Sequence, residues 1–344
     1  MVDVIIPCYN YGHYLRGCVN SVLSQRGVNV RVLIVDDASS DDTARVGQEL
    51  AACNNAVEFR RHEVNEGHIA TYNEGLIGWS KAEYAVLLSA DDLLVPGCLG
   101  RAVRIMEADE NIGMVYGRAI HFERETDLPT ISPHDCGYTR FSGAEWLEAR
   151  CRAGHNVISS PEVVVRGSLQ RSIGGYRPEL PHTGDLEMWL RIAAVSSIAY
   201  VRGPQAFYRV HPASMLRTKY QNNLLDLRHR KIAFDSFFQQ HQHVIADSDR
   251  LHELTNRALA REALWIACRA YERNRVEEAR AHELIEFAVT IYHAANSLSE
   301  YRALHRRRRL GPVICNQTQL FAATALIRKV DRWLKKRRWK RRGI

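Results

Sequence analysis

Apolar and polar positions follow two rhythms along the first hundred residues. Short unbroken apolar runs, Val4-Ile5-Ile6, Val32-Leu33-Ile34-Val35 and Tyr84-Ala85-Val86-Leu87-Leu88, leave no polar face for solvent. They predict strands over 2–7, 30–35 and 84–88 that are buried on both sides. Between them the apolar positions fall at helical spacing. Leu15, Cys18, Val19 and Val22 share one face of a helix over about 11–25, and Val46 and Leu50 turn inward on a second, which Ser39, Ser40 or Asp41 can cap. A short strand at 57–61 leads through Asn65-Glu66-Gly67 into a helix ending near Trp79. This βαβαβ order predicts a largely parallel sheet with helices on both faces.

The rhythm loosens from 113 to 210, where strands at 113–117, 163–166 and 199–208 flank helices at 143–153 and 184–195. Residues 220 to about 295 are dense in Leu, Ala, Arg and Glu and predict an antiparallel helix pair with its joint at 271–274; a further helix covers 318–341. Three regions are expected: a sheet-bearing domain over 1–215, a helical region over 216–310 and a basic amphipathic tail over 311–344. On the helical region Ala260, Ala263, Leu264, Ala267, Ala279 and Ala281 make a small-residue face. It suits either cover over an acceptor or a homodimer contact.

Composition narrows the class. A chain of 344 residues and 39.3 kDa can bury a full core. It has no apolar run long enough to span a bilayer, and it opens directly on a strand without a basic leader. Its eight cysteines form no CxxC pair, as expected of a reducing, cytoplasmic setting. The formal charge is +8, yet residues 328–342 hold ten Lys or Arg against one Asp, so the remainder sums to about −1. The basic pI belongs to a tail, and no nucleic-acid partner is expected. Within that tail Leu326, Ile327, Val330, Trp333 and Leu334 form an apolar stripe among the cations, with Trp339 placed for a headgroup boundary. The pattern is that of an interfacial helix on the inner face of an anionic membrane, against the plainer reading of a solvated basic tail.

The candidate chemistry sits at strand ends. Asp36-Asp37 and Asp91-Asp92 follow buried strands, where aspartates often do no more than form turns or cap helices. Adjacent carboxylates repel, however, and a divalent cation explains Asp91-Asp92 better; oxygen ligands suit Mg²⁺ or Mn²⁺. Neither GxGxxG nor GxxxxGK[ST] is present. Asp185 stands in the first turn of a helix, as a cap or as a general base. His211, at a strand end beside Pro212, is either a turn residue or a contact for a metal or a diphosphate.

These residues resemble the family 2 glycosyltransferases of GT-A fold. The resemblance rests on Val4 through Asn10, the helix from Leu15 to Gln25, Val35-Asp36-Asp37-Ala38-Ser39-Ser40-Asp41, Asn65-Glu66-Gly67 with Asn73-Glu74-Gly75, and Ser89-Ala90-Asp91-Asp92. It spans roughly residues 1–215. It implies an α/β fold of GT-A type, Rossmann-like, with a mixed, mostly parallel sheet flanked by helices and a helical region after it. The implied activity is inverting transfer of a sugar from a nucleoside-diphosphate donor, UDP-linked in the first instance, to a carbohydrate or lipid-linked saccharide hydroxyl, with Mn²⁺ or Mg²⁺.

By the same resemblance Pro7, Tyr9 and Asn10 line the nucleotide pocket and Asp37, with Asp36, reads the base edge. Asn65, Gly67, Ser89 and Ala90 complete the donor site. Asp91 and His211 serve the metal, and Asp185 is the catalytic base. The chain departs from the family pattern at three positions. Ser89 stands for the first Asp of Asp-x-Asp, Gly184 for the Glu of Glu-Asp, and Tyr72 where many relatives carry Arg. Two other readings remain open: a sugar nucleotidyltransferase, and a degenerate transferase domain acting as a membrane scaffold.

Overall fold

The computed structural model describes residues 1–131, 136–212 and 222–344. The expected domain boundary at 215 lies outside the described residues. Backbone proximity divides the chain into two compact units, one of residues 1–146, 157–212 and 340–343, the other of 147–156, 213–339 and 344.

The first unit carries the sheet. Its opening elements are β1 (Val2–Cys8), α1 (Gly12–Leu23), β2 (Val30–Asp36), α2 (Thr43–Cys53), β3 (Val57–Arg61), α3 (His68–Asn73) and β4 (Tyr84–Leu87). There follow β5 (Leu93–Leu94), α4 (Cys98–Ala108), β6 (Ile112–Phe122), β7 (Tyr138–Phe141), α5 (Gly143–Ala153), β8 (Val164–Arg166), α6 (Gly167–Ile173), α7 (Gly184–Val195) and β9 (Ser197–Arg209). Among the described residues the sheet order is β3-β2-β1-β4-β8-β6-β9-β5, with β7 on β9. β3, β2, β1 and β4 are parallel, β8 is antiparallel to both its neighbours, and β6 and β9 run parallel. The architecture is thus a mixed, largely parallel sheet of GT-A type.

The predicted strands form because their apolar runs are fully enclosed: Val4, Ile5, Ile6, Val32, Leu33 and Ile34 have no exposed surface. The inward face of α1 is the expected Leu15, Cys18, Val19 and Val22. β6 runs six residues beyond its expected end at 117, to Phe122 less one, because register shifts against β9 at Tyr116/Arg118 and Arg118/Ala119 let the ladder continue past Gly117. After α3 the chain widens into one turn of π-helix, Glu74–Trp79. Gly75 is required there, since a Cβ at that position would lie 2.3 Å from Ile5 Cγ2 on β1.

The second unit is helical: α8 (Asn223–His241), α9 (Ser248–Glu272), α10 (Ala281–Ile291), α11 (Ser299–Leu310) and α12 (Pro312–Gln317), with most of α13 (Ala322–Arg342). The expected helix pair is three helices, because a polar stretch at 242–247 breaks what looked continuous; the joint near 271–274 is present. Asn222 caps α8, its Oδ1 accepting from Leu224 N and Leu225 N. Ala260, Ala263, Leu264, Ala267 and Ala281 lie in this unit's own core with Leu227, Leu284 and Leu304. Among the described residues no helix is long and apolar enough to cross a membrane.

Candidate active site

The chain passes from β1 to β2 and β3 on one side of the sheet, then returns to β4 on the other. The β1/β4 crevice is therefore the topological switch point, where ligands bind beyond the carboxyl ends of parallel strands. The register puts Cys8 beside Asp36, and Leu88 N donates to Ile5 O. The segments 7–10, 36–41 and 89–92 consequently share one sheet edge.

On the β2 side the turns are built around Asp36, Asp37 and Asn10. Asp36 is buried; its Oδ1 accepts from Ser39 N at 2.9 Å and its other oxygen pairs with Arg61 at 3.4 Å. That carboxylate is committed to the turn. Asp37, also buried, accepts from Glu66 N at 2.8 Å and Gly67 N at 3.0 Å, while Asn65 Nδ2 donates to its carbonyl. It therefore holds the Asn65-Glu66-Gly67 loop against the strand end, with Gly67 in a positive-φ conformation. His62 bridges Asp37 (2.8 Å) and Glu74 (2.7 Å). Burial draws the His62 pKa down, but the hydrogen bonds to Glu74 and Asp37 outweigh it and leave it raised. Asn10, itself at positive φ, accepts from Ser40 N at 2.8 Å and gives its own N–H to Ser39 Oγ. Pro7 is half-buried, and Tyr9 leaves half its surface open beside this turn.

On the β4 side Ser89 O accepts from Asp92 N, closing a tight turn that buries Ala90 and leaves Asp91 half-buried. Asp91 Oδ2 lies 3.1 Å from His211 Nε2, and the Tyr11 hydroxyl is 3.4 Å from the same nitrogen. The two neighbouring aspartates do different work. Asp92 is buried and accepts from Arg209 N at 2.8 Å, latching the end of β9 to this turn. Burial, then the charge of Asp91, pushes its carboxyl well above the usual range. Arg209 is sandwiched between the rings of Tyr14 and Phe122 and donates to Asp91 O at 2.8 Å. The latch is what delivers His211 to Asp91 across 120 residues of chain.

Asp185 opens α7, as expected. Its carboxylate accepts from Ser160 Oγ and from the Tyr176 hydroxyl. Burial raises its pKa, and Ser160, Tyr176, His68 and His182 only partly offset the rise. Tyr72 and Tyr208 tie the two acidic centres together. Burial first, then the charges of both Asp185 and Asp91, raises the Tyr72 hydroxyl. The same sources, with Asp92, push the Tyr208 hydroxyl up to about 12. Both carboxylates thus act across one pocket.

Ser160, Tyr176 and His62 were absent from the sequence expectations. Each comes from outside the recognisable motifs and has no spacing signal of its own.

A family model described as "Glycosyl transferase family 2" matches residues 3–164. The sheet-bearing unit belongs to that family. An uncharacterized glycosyltransferase of Rickettsia typhi is 26% identical over 220 residues, which is 63% of this chain and 66% of that protein. Chondroitin synthase of Pasteurella multocida is 30% identical over 202 residues, 58% of this chain and 20% of that one. The chain thus spans just under two thirds of the first of these relatives, and a fifth of the second. Among solved structures, S. aureus TarS 1–349 in complex with UDP-GlcNAc aligns with TM-score 0.66 at 13% identity, over 94% of this chain and 92% of that one. At that identity the likeness is one of fold.

The family 2 unit accounts for its own departures. A Cβ at Gly184 would lie 3.0 Å from Tyr176 Cδ1, so the tyrosine that bonds Asp185 leaves little room for a side chain there. Tyr72, in place of Arg, packs edge-on against Tyr176 with ring centroids 5.4 Å apart. The motif Asn73-Glu74-Gly75 serves both sides of the site. Asn73 clamps Tyr176 by two hydrogen bonds, 2.8 Å to its carbonyl and 2.6 Å from its N–H, whereas Glu74 reaches His62 and through it Asp37. Among the described residues no group of three or more His, Cys, Asp or Glu is disposed to hold a metal. The donor set is the pair Asp91 and His211, one oxygen and one nitrogen. Such a pair fits an ion whose other positions are filled by substrate phosphate, not one caged by protein.

Proposed function

We propose that the chain is an inverting glycosyltransferase that moves a sugar from a nucleoside-diphosphate donor to a hydroxyl acceptor in surface-polysaccharide or glycolipid synthesis. The observation that carries this reading is the common bearing of Asp91 and Asp185 on Tyr72 and Tyr208 at the β1/β4 switch point. The TarS structure with UDP-GlcNAc makes a UDP-sugar the first donor to try.

Transfer has two needs, a base for the acceptor hydroxyl and relief for the charge that builds on the departing diphosphate. Asp185 meets the first. Its oxygens are held by Ser160 and Tyr176, and its raised pKa brings it nearer the working range of a general base. It takes the hydroxyl proton as the acceptor oxygen bonds to the anomeric carbon. The bond from that carbon to the phosphate oxygen breaks, and its electron pair leaves with the diphosphate. One base and one displacement give inversion, as in the single-step glycosidases. Asp91 and His211 would hold Mn²⁺ or Mg²⁺, which when bound supplies positive charge to the leaving group. On the β2 side Asn10, the Asp37-held loop and the open face of Tyr9 surround the nucleoside.

Asp185→Asn is expected to bind donor as the parent does while transfer falls on the order of 10²- to 10⁴-fold. Asp91→Ala should lose the Mn²⁺-dependent part of donor binding in calorimetry. Parent-rate transfer by the first variant removes the base assignment. Donor affinity in the second that still rises with Mn²⁺ as in the parent removes the metal assignment.

A further inference from the structure

Large apolar side chains exposed to solvent are unevenly spread over this protein. Leu310, Val313, Ile314 and Leu320 lie open on α11, on α12 and just beyond it. Leu326, Ile327, Val330, Trp333 and Leu334 follow on α13, with Leu326 and Ile327 exposed by 62% and 68%. At 3.6 residues per turn these five positions of α13 cover about 120° of its circumference. A helix packed on its own protein would turn that stripe inward. α13 does the reverse. The side that meets the second unit is polar: the Arg328 guanidinium lies over the Trp265 ring, and just before the helix Phe321 lies under Arg307 at 3.7 Å. Trp339, half-buried, is on the side opposite the stripe, which corrects its expected place at a headgroup boundary.

The occupant of the stripe is set by charge. Ten Lys or Arg between 328 and 342 face one Asp, and that Asp331 is paired with Lys335 at 2.8 Å. A second copy of the same face would bring like charge against like charge. A neutral apolar partner would leave the cations unanswered. An anionic bilayer surface satisfies both features at once, taking the stripe into the acyl boundary and the cations among its phosphates. Arg337 is already folded over Trp333, 4.6 Å from the ring, with its charge kept at the edge of the stripe.

We infer that α13 lies flat in the interface of an anionic membrane, with its 326–334 stripe inserted and the basic flanks on the headgroups. The inference is independent of the glycosyl-transfer reading, because its test uses neither donor nor acceptor. Vesicles of phosphatidylglycerol and phosphatidylcholine in equal parts, and of phosphatidylcholine alone, are sedimented with the full chain at two salt concentrations. Two variants are run beside it: Leu326→Asp with Leu334→Asp, and Lys335→Glu with Lys336→Glu. Circular dichroism checks that each variant keeps the parent's helix content.

The parent is expected to pellet at least tenfold more with the anionic vesicles, and less so in high salt. Both variants should lose at least tenfold of that binding. Quenching of Trp333 by brominated lipid, compared with Trp333→Phe, should report insertion. Equal pelleting with both vesicles, or unchanged binding by the stripe variant, overturns the inference. So does a lipid-free dimer that the stripe variant abolishes, or retention of RNA in place of vesicles.

Discussion

Asp185 is a carboxylate whose strength as a base is set by two neighbours from distant parts of the chain. Ser160 and Tyr176 both donate to it, and hydrogen bonds to the ionised form lower a carboxyl pKa that burial has raised. Removing either donor must therefore raise that pKa further. Ser160→Ala and Tyr176→Phe are each expected to move the acidic limb of the kcat profile to higher pH, with donor affinity unchanged. A change in kcat with no movement of the limb would assign these residues to packing alone. The groups facing Asp185 that also titrate are His68, His182, Tyr72 and Tyr208, so the limb is read against His68→Gln and His182→Gln. Nothing in the sequence pointed to this arrangement. Asp185 was legible because an acid in the first turn of an apolar-faced helix is conspicuous. Ser160 lies 25 residues upstream in a loop, and only the fold brings its hydroxyl to the carboxylate.

At the scale of elements, α3 and the π turn after it link the two halves of the site. Asn73 holds Tyr176, Glu74 holds His62, and Gly75 lets the turn settle onto Ile5 of β1. Gly75→Ala would press a methyl carbon into Ile5 and is expected to cost about 1–3 kcal/mol, as overpacked cores do. Chemical denaturation measures it. The π turn should move with its glycine, so transfer ought to fall by more than the lost stability explains. The motif was readable in sequence; the π turn was not, because widening by one residue leaves the apolar spacing nearly intact. β5 and β7 were missed for another reason. Leu93–Leu94 is too short to carry a period, and Tyr138–Phe141 shows two exposed residues and only one buried. The break at 242–247 has neither Gly nor Pro, so the helical stretch seemed unbroken. By contrast β1, β2 and β4 were legible as a group, since buried parallel strands are the commonest use of unbroken apolar runs.

For the whole molecule, charge and chemistry occupy different parts of the sequence. Residues outside 328–342 are close to neutral, so the donor diphosphate is met by local groups at the switch point and not by a basic field. Three activities compete at this scale, and a single incubation without acceptor separates them. With a nucleoside-diphosphate sugar and Mn²⁺, an inverting transferase should slowly pass the sugar to water through Asp185 and release nucleoside diphosphate. That release should be fastest for one base among UDP-, GDP- and dTDP-sugars, because Asn10 and the Asp37-held loop form one defined pocket wall. It should fall in Asp185→Asn. A nucleotidyltransferase would instead release pyrophosphate from a nucleoside triphosphate and a sugar 1-phosphate. That chemistry needs cationic groups for a triphosphate in the first turn, and Cys8-Tyr9-Asn10-Tyr11-Gly12 offers none. A scaffold would do neither, yet Asp91 with His211 and Asp185 with Ser160 are intact pairs in a domain otherwise altered at Ser89 and Gly184. Nucleoside-diphosphate release that depends on Asp185 is therefore the expected outcome, and pyrophosphate release or silence in both incubations would each displace the transferase reading.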